Sequence, residues 1–499
     1  MGNKRMLETK GSAVNATSEV HPWHCKGWSG GWTTLSGGTI QVEEPATGDL
    51  LAEVGRASTQ DVRRAARAAR AAQHGWIALP YQERGASFRR AATLVESRAA
   101  LIRDWIVRET GAVKLKAQFE ITSVVHLLHE AAAVQTQPRG LVLPADGGSL
   151  SLARRVPHGV VGVITPFNFP FILTGRAILA ALAMGNAVVL KPDPRTPVSG
   201  GLLLASIFAE AGLPEDLLHV LPGDVEAGEA LVADPDIAMI SFTGSTAVGR
   251  KIGALAGGHL KKVALELGGK NALIILDDAD LDRAVSNGAW ASWLHQGQIC
   301  MSAGRHLVHK SLAEAYAERM AEKARALPVG NPFTEEVALG PLINRVQLER
   351  VRRIVDDSIA AGARLLAGGP GQGNFFNPTV LDRVTPEMPA FREEIFGPVV
   401  SITAFEDDEQ AVRLANDTEY GLSAGILSPS IERAKRIADQ LNVGLLHIND
   451  QTVHDDGTMP MGGFGASGNG SRHGGPANWD EFTQWQWMTI KEKPPLYPL

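Results

Sequence analysis

At 499 residues the chain has room for two or three domains with large cores. With 44% hydrophobic and 20% charged residues and a net charge of −6, it reads as soluble and globular, with no general attraction to nucleic acid or an anionic membrane. Two cysteines, Cys25 and Cys300, exclude a disulfide framework and fit a reducing cytoplasm, and no apolar run reaches the roughly 18 residues of a membrane span. No secretory signal is visible, and Met6 stands where a myristoylation signal needs Ser or Thr.

The first forty residues read as an extended arm whose Trp23, Trp28 and Trp32 dock on the body. Glu43 to Val54 reads as a hairpin around Thr47-Gly48-Asp49. Thr59 to Gln118 is helical, with Val62, Ala65, Ala66 and Ala69 on one face and Asp61, Arg63, Arg64, Arg67 and Arg70 outside it. The arginines read as a solvated face balanced by Glu83, Glu96 and Glu109, not as a nucleic-acid patch. Residues 139–158 read as two strands around Gly147-Gly148 that project for subunit contact.

From Gly159 strands and helices alternate. Strands are expected at 159–165, 187–190, 217–221, 237–242 and 263–267, with helices at 171–184, 198–211 and 248–255. Apolar strands in such alternation imply a doubly wound parallel sheet, with ligands beyond the strands' carboxyl ends. Asn168, Lys191, Gly223, Gly244 and Glu266 fall there. The second half repeats the style, with strands at 272–276, 364–367, 399–405 and 444–448 and a Gly-rich loop at 462–475, and reads as a second α/β domain. The end alternates Phe482, Trp485, Trp487 and Met488; an exposed strand so aromatic invites aggregation and is expected to pair with another subunit.

No G-x-G-x-x-G fingerprint follows a strand, and Gly244–Lys251 departs from a phosphate loop because Arg250-Lys251 replaces Lys-Ser/Thr, which excludes an NTPase of that kind. The Gly244-Ser245-Thr246 turn still places helix N–H groups where a phosphate could sit. Cys300, behind the Gly-containing approach Gln296-Gly297-Gln298, fits a buried core thiol as well as a nucleophile. Glu266, in an apolar run before paired glycines, fits a satisfied buried acid as well as a general base. For His295 a structural role is preferred to a dyad with Cys300, and no metal-ligand spacing surrounds the thiol.

Six motifs in order then carry a resemblance. They are Thr165-Pro166-Phe167-Asn168-Phe169-Pro170, Lys191-Pro192, Phe242-Thr243-Gly244-Ser245-Thr246, Leu265-Glu266-Leu267-Gly268-Gly269, Gly297-Gln298-Ile299-Cys300 and Glu393-Glu394-Ile395-Phe396-Gly397-Pro398. Together they closely resemble the aldehyde dehydrogenase superfamily, from about residue 40 to the end. The resemblance implies an α/β fold with an NAD-binding domain (1–138 and 159–265), a catalytic domain (266–470) and an oligomerisation hairpin and tail (139–158 and 471–499). It also implies a homodimer or homotetramer. Cys300 would attack the aldehyde, Asn168 would hold the oxyanion, Glu266 would activate water on the thioester, and Lys191 would hold the adenosine ribose. Thr165, Phe167, Gly223, Gly244, Ser245 and Val248 would line the cofactor. Glu394 would hold the nicotinamide ribose and Phe396 would back the ring.

Many relatives read Lys-Pro-Ser-Glu, where the Glu repels a 2′-phosphate; Pro194 stands there instead, so NAD is expected and NADP stays open. A finer similarity, to benzaldehyde and vanillin dehydrogenases, rests on Lys191–Pro194, His295–Gln298, Gly304–Val308, His447–Gln451 and Glu492–Pro495. It implies an aromatic aldehyde as substrate, with Phe171, Leu173, Arg176, Ile299, Met301 and Met461 along the substrate funnel. Arg176 either pairs with an internal acid or meets a polar ring substituent. A CoA-acylating relative would commonly lack Glu266, and a non-catalytic protein on this fold need not keep Cys300, Glu266, Asn168 and Lys191 together.

Overall fold

The computed structural model describes residues 21–146 and 149–498; the first twenty residues and the Gly147-Gly148 turn lie outside them. Two seven-stranded sheets organise the chain. In the first, parallel strands run in the order Lys262–Glu266, Met239–Thr243, Val160–Ile164, Ala187–Lys191, Leu218–Val220. The chain starts at Val160–Ile164, winds outward one way through Ala187–Lys191, then returns to the other side at Met239–Thr243. The order therefore reverses between Val160–Ile164 and Met239–Thr243, and such a reversal opens a crevice past the strand ends. The central strands are buried on both faces and are built from Val, Ile and Leu, as helices on both sides require.

The tryptophan arm docks as expected. Lys26–Trp28 adds antiparallel to Leu218–Val220 at Trp28↔Val220, and Trp32–Thr34 closes the edge. Trp23 is buried edge-on against Trp105. Helix Thr59–Ala78 buries the alanine face named above, but Asp61 joins that face. Its carboxylate accepts from Ser36 and from Ser58, the residue that caps the helix. Glu109 is also buried rather than solvated, accepting the Val198 and Ser199 N–H groups.

The second sheet runs Arg364–Pro370, Phe376–Asp382, Val399–Phe405, Ala303–His309, Asn271–Ile275, Ser423–Leu427, Leu445–Ile448, and all but the first pair is parallel. The sequence reading missed three of these strands, and Ala303–His309 shows why. Its Arg305 and His306 look like solvent residues but are buried. Arg305 donates to the Lys270, Leu414 and Ala415 carbonyls, and His306 sits between Ser292 and Tyr316. Fully bonded polar side chains hid a core strand. Helix Val225–Ala233 was also missed.

The aromatic end strand Thr483–Ile490 pairs with Leu150–Pro157 of its own chain, which in turn pairs with Gly140–Leu143. One of its edges is thus paired within the chain. It remains an edge strand, with Trp485 52% and Trp487 73% exposed. Among the described residues no helix is long and apolar enough to cross a membrane.

Candidate active site

The crevice at the strand reversal opens into a cavity of about 1030 Å³ between the two sheets. Thr165, Phe167, Asn168, Leu173, Lys191, Gly244, Ser245, Val248, Glu266, Cys300, Glu394 and Phe396 all line it. Residues far apart in sequence therefore meet at one wall system, because each follows a strand end or a turn that faces the crevice. Gly223 does not line it. It is buried one step behind, where a side chain would strike Ala227, and Asp224 takes the wall.

One end of the cavity is built to receive an anion. Ser245 precedes helix Thr246–Gly258 and makes no side-chain cap, so the helix N-terminus faces the cavity uncapped. Gly244 is required there, since a Cβ would meet the Phe242 ring at 2.5 Å. Lys191 is 9% exposed, and its ammonium has a single long bond, 3.4 Å to the Pro192 carbonyl. Burial holds its pKa below the ordinary lysine value, with Asp193 and Asp224 working against that. A buried ammonium with unused donors beside an uncapped helix end fits the ribose and pyrophosphate of a dinucleotide. Asp193, which the sequence reading did not single out, grips Arg195 by two bonds of 2.7 and 2.6 Å, and Arg195 lies 4.2 Å over the Phe167 ring.

The other end carries the thiol. Cys300 follows three consecutive left-handed residues, His295, Gln296 and Gly297. Two of these are not glycine, at a cost of about 1–3 kcal/mol each. The turn is held by its contacts: Gln296 donates to the Gly111 carbonyl at 2.7 Å, Ile343 N–H donates to the Gln298 side chain at 3.0 Å, and Asn271 donates to the Cys300 carbonyl at 2.7 Å. A side chain at Gly297 would strike the Gly397 carbonyl at 2.2 Å. Burial, with the charges of Glu394, Glu266 and Asp455 behind it, pushes the Cys300 thiol up to about 12. Asn168 spends one amide N–H on the Gln298 carbonyl at 2.9 Å; its second N–H is available to the cavity.

Glu266 ends strand Lys262–Glu266 and is 5% exposed, with no hydrogen-bond partner on either carboxylate oxygen. Burial raises its pKa well above the ordinary range, although Arg472 and Arg176 pull it back. Glu394 accepts Gly269 N–H at 3.1 Å, and burial raises its pKa too. Phe396 is left-handed, meets Phe167 edge-on at 5.8 Å, and has its carbonyl held by Gln347. His295 is buried against Phe169, and burial keeps it neutral.

Of the six funnel candidates only Leu173 lines this cavity. Phe171, Ile299, Met301 and Met461 are buried in the core that also contacts Leu173 and Cys300. Arg176 pairs with Asp455 at 2.5 Å and touches the Met461 sulfur, and it faces a second cavity of about 360 Å³. The internal-acid alternative for Arg176 is the one observed. A thiol, an unpaired carboxylate, a free amide N–H and an anion-binding helix start on one cavity can carry out acyl chemistry on a carbonyl next to a bound nucleotide.

Comparison with known proteins agrees with that chemistry. The chain is 50% identical over 477 residues to a vanillin dehydrogenase of Amycolatopsis sp., covering 95% of this chain and 98% of that protein. It is 49% identical over 486 residues to a benzaldehyde dehydrogenase [NAD(+)] of Pseudomonas putida, covering 97% and 100%. A salicylaldehyde dehydrogenase from Pseudomonas putida G7, solved with salicylaldehyde, superposes with a TM-score of 0.92 at 35% identity, covering 95% of this chain and 99% of that one. The model of the aldehyde dehydrogenase family matches residues 32–488, and the chain belongs to that family.

Proposed function

We propose that this protein oxidises an aromatic aldehyde to its carboxylic acid with NAD. The observation that carries the reading is the shared cavity, which Cys300, an unpaired Glu266, Lys191 and an uncapped helix N-terminus all line. The vanillin and benzaldehyde dehydrogenases to which the chain is half identical support the aromatic substrate.

In this reading the Cys300 thiol gives up its proton to water in the cavity as its sulfur bonds to the aldehyde carbon, and the carbonyl π pair moves to oxygen, which accepts a hydrogen bond from Asn168 Nδ2–H. Bound NAD supplies the acceptor for the hydride that leaves this carbon. The carbon is left as a Cys300 thioester. Glu266 takes a proton from water, the water oxygen bonds to the thioester carbon, and the C–S bond breaks to release the acid. Lys191 holds the adenosine ribose, Gly244, Ser245 and Val248 flank the pyrophosphate and adenine, Glu394 holds the second ribose, and Thr165, Phe167 and Phe396 shape the nicotinamide end. Gly223 acts only by letting the backbone pack against Ala227 behind the wall that Asp224 forms. The substrate ring lies on Leu173, with Phe171, Ile299, Met301 and Met461 as its packing support.

The test is kcat/KM for benzaldehyde, vanillin, a long straight-chain aldehyde and a semialdehyde, each with NAD and with NADP. Aromatic aldehydes with NAD are expected to lead. A lead for aliphatic aldehydes would keep the chemistry and discard the aromatic assignment. For Arg176, now paired with Asp455, Arg176→Ala is expected to impair all aldehydes alike, because it leaves the partly buried Asp455 without its partner. A loss confined to ring-substituted aldehydes would instead place the guanidinium on the substrate.

Asp193 takes over cofactor discrimination from the Glu missing at Pro194. Its carboxylate lines the ribose end and occupies Arg195, the cation a 2′-phosphate would seek. Asp193→Asn is expected to tighten NADP by about tenfold, one charge-assisted contact, with NAD little changed. Dissociation constants from fluorescence quenching read this without turnover, and an unchanged NADP constant would remove Asp193 from that role.

The division into a nucleotide-binding part (1–138 and 159–265), a catalytic part (266–470) and an association unit (139–158 and 471–499) follows the two sheets and the small three-stranded sheet. The exposed Trp485 and Trp487 on that small sheet support a homodimer or homotetramer. The free thiols Cys25 and Cys300 fit a cytoplasmic place.

A further inference from the structure

Helix Lys114–Ala133 buries two charged side chains that do not line the cavity. Lys116 and Glu120 are 1% and 0% exposed at their side chains, the most deeply buried ion pair among the described residues. They lie one helical turn apart, and the Lys116 ammonium donates to Glu120 at 2.5 Å. Burying both charges is costly, and a pair of apolar side chains would serve stability as well or better. Stability alone therefore does not account for them.

Their remaining bonds all fall on one turn. Lys116 donates to the backbone carbonyl of Asn168 at 2.6 Å, and its ammonium sits 4.3 Å over the Phe169 ring. Glu120 accepts the N–H groups of Phe171 and Ile172 at 2.9 and 3.1 Å, the first open donors of helix Pro170–Ala183. That helix has no side-chain cap of its own, since Phe169 precedes it. A carboxylate on its positive end is favourable. The turn 168–172 is thus held at both ends by one ion pair. Inside it, the only cavity-facing polar side chain is the Asn168 amide, already turned by its bond to the Gln298 carbonyl.

We propose that Lys116 and Glu120 are positioning residues for the oxyanion donor: they fix the peptide of Asn168 so that its amide N–H points at the aldehyde oxygen over Cys300. This rests on Asn168 being the oxyanion donor in the proposed function. Misplacing a donor by about an ångström costs about 10²-fold in rate.

The test is a double-mutant cycle on the full-length enzyme. Lys116→Met with Glu120→Gln replaces the pair without leaving an orphan charge, and the Gln oxygen can still meet Phe171 and Ile172. The hydride-transfer rate, read as the pre-steady-state burst of reduced nucleotide, is expected to fall about 10²-fold, with the NAD dissociation constant and melting temperature little changed. Asn168→Ala alone is expected to cost about 10²–10³-fold. In the Asn168→Ala background the Lys116/Glu120 change should then cost little more, because the group it aims is gone. Full additivity would make the pair merely structural and overturn the proposal, as would a folded Lys116/Glu120 variant with an undiminished burst. An Asn168→Ala enzyme with normal hydride transfer would remove the oxyanion role itself, and the positioning role with it. Glu120→Gln alone is the gentler variant, expected to lose rate in the same direction by a smaller factor; no loss in it, should the double replacement not fold, would equally overturn the proposal.

Discussion

Cys300→Ala is expected to abolish aldehyde-dependent reduction of NAD, by about 10⁵-fold or more, as removal of a nucleophile does elsewhere. Nucleotide affinity should be kept, because the anion-binding end of the cavity is built from other strands. The turn should also survive, since Asn271, Gln296 and Gln298 hold it without the sulfur. Appreciable dehydrogenase turnover in a folded Cys300→Ala enzyme would sink the assignment. The wild-type thiol makes a second, pH-dependent reading available. Burial, then the charges of Glu394, Glu266 and Asp455, push its pKa up to about 12, against the weaker pull of Arg176. In the nucleotide-free enzyme the thiol is therefore overwhelmingly protonated at neutral pH. Alkylation of Cys300 by iodoacetamide should therefore rise about tenfold per pH unit through the alkaline range. A plateau near neutrality would mean that the resting thiol is already ionised.

Much of this site was legible because its chemistry is written in short contiguous pieces. Thr165–Pro170 and Glu266–Gly269 follow strand ends, so the alternation of strands brought them to one crevice, whereas Gly297–Cys300 follows a turn and was marked only by its resemblance to the family's motif. What the sequence hid was of two kinds. Strand Ala303–His309 was hidden because its Arg305 and His306 are buried with their polar groups engaged, and pattern reading treats such residues as solvent-facing. Lys116, Glu120 and Asp193 were hidden because their meaning is a distance to a backbone group or side chain elsewhere. An i, i+4 pair of opposite charges on a helix is ordinarily a surface feature. Only its burial against residues 168–172 distinguishes it. The same limit applied to the tail. The aromatic alternation gave the strand, but its partner, Leu150–Pro157, lies far back in the same chain.

Glu266→Gln is expected to separate the two halves of the reaction. Hydride transfer needs the sulfur on the aldehyde carbon and the oxyanion held at Asn168, and neither contact involves Glu266. Thioester hydrolysis needs a base for water, and Gln cannot accept that proton. The variant should keep a pre-steady-state burst of reduced nucleotide near one equivalent per active site, while steady-state turnover falls about 10²–10⁴-fold, the usual scale for losing a general base. The acid limb of the wild-type profile follows from the same residue. Glu266 is a base only when ionised, and burial sets its pKa well above the ordinary carboxylate range while Arg472 and Arg176 moderate the shift. Hydrolysis should thus fall as pH drops through that raised value, at a higher pH than an exposed glutamate would give, and the limb should vanish in Glu266→Gln. Both carboxylate oxygens lack a protein partner, so the water that Glu266 polarises competes with no other donor. Loss of the burst itself would move Glu266 to an earlier step of the reaction. With the thiol pushed up to about 12 and its charge coupled to Glu266, this carboxylate would then be the group that takes the Cys300 proton before the sulfur attacks.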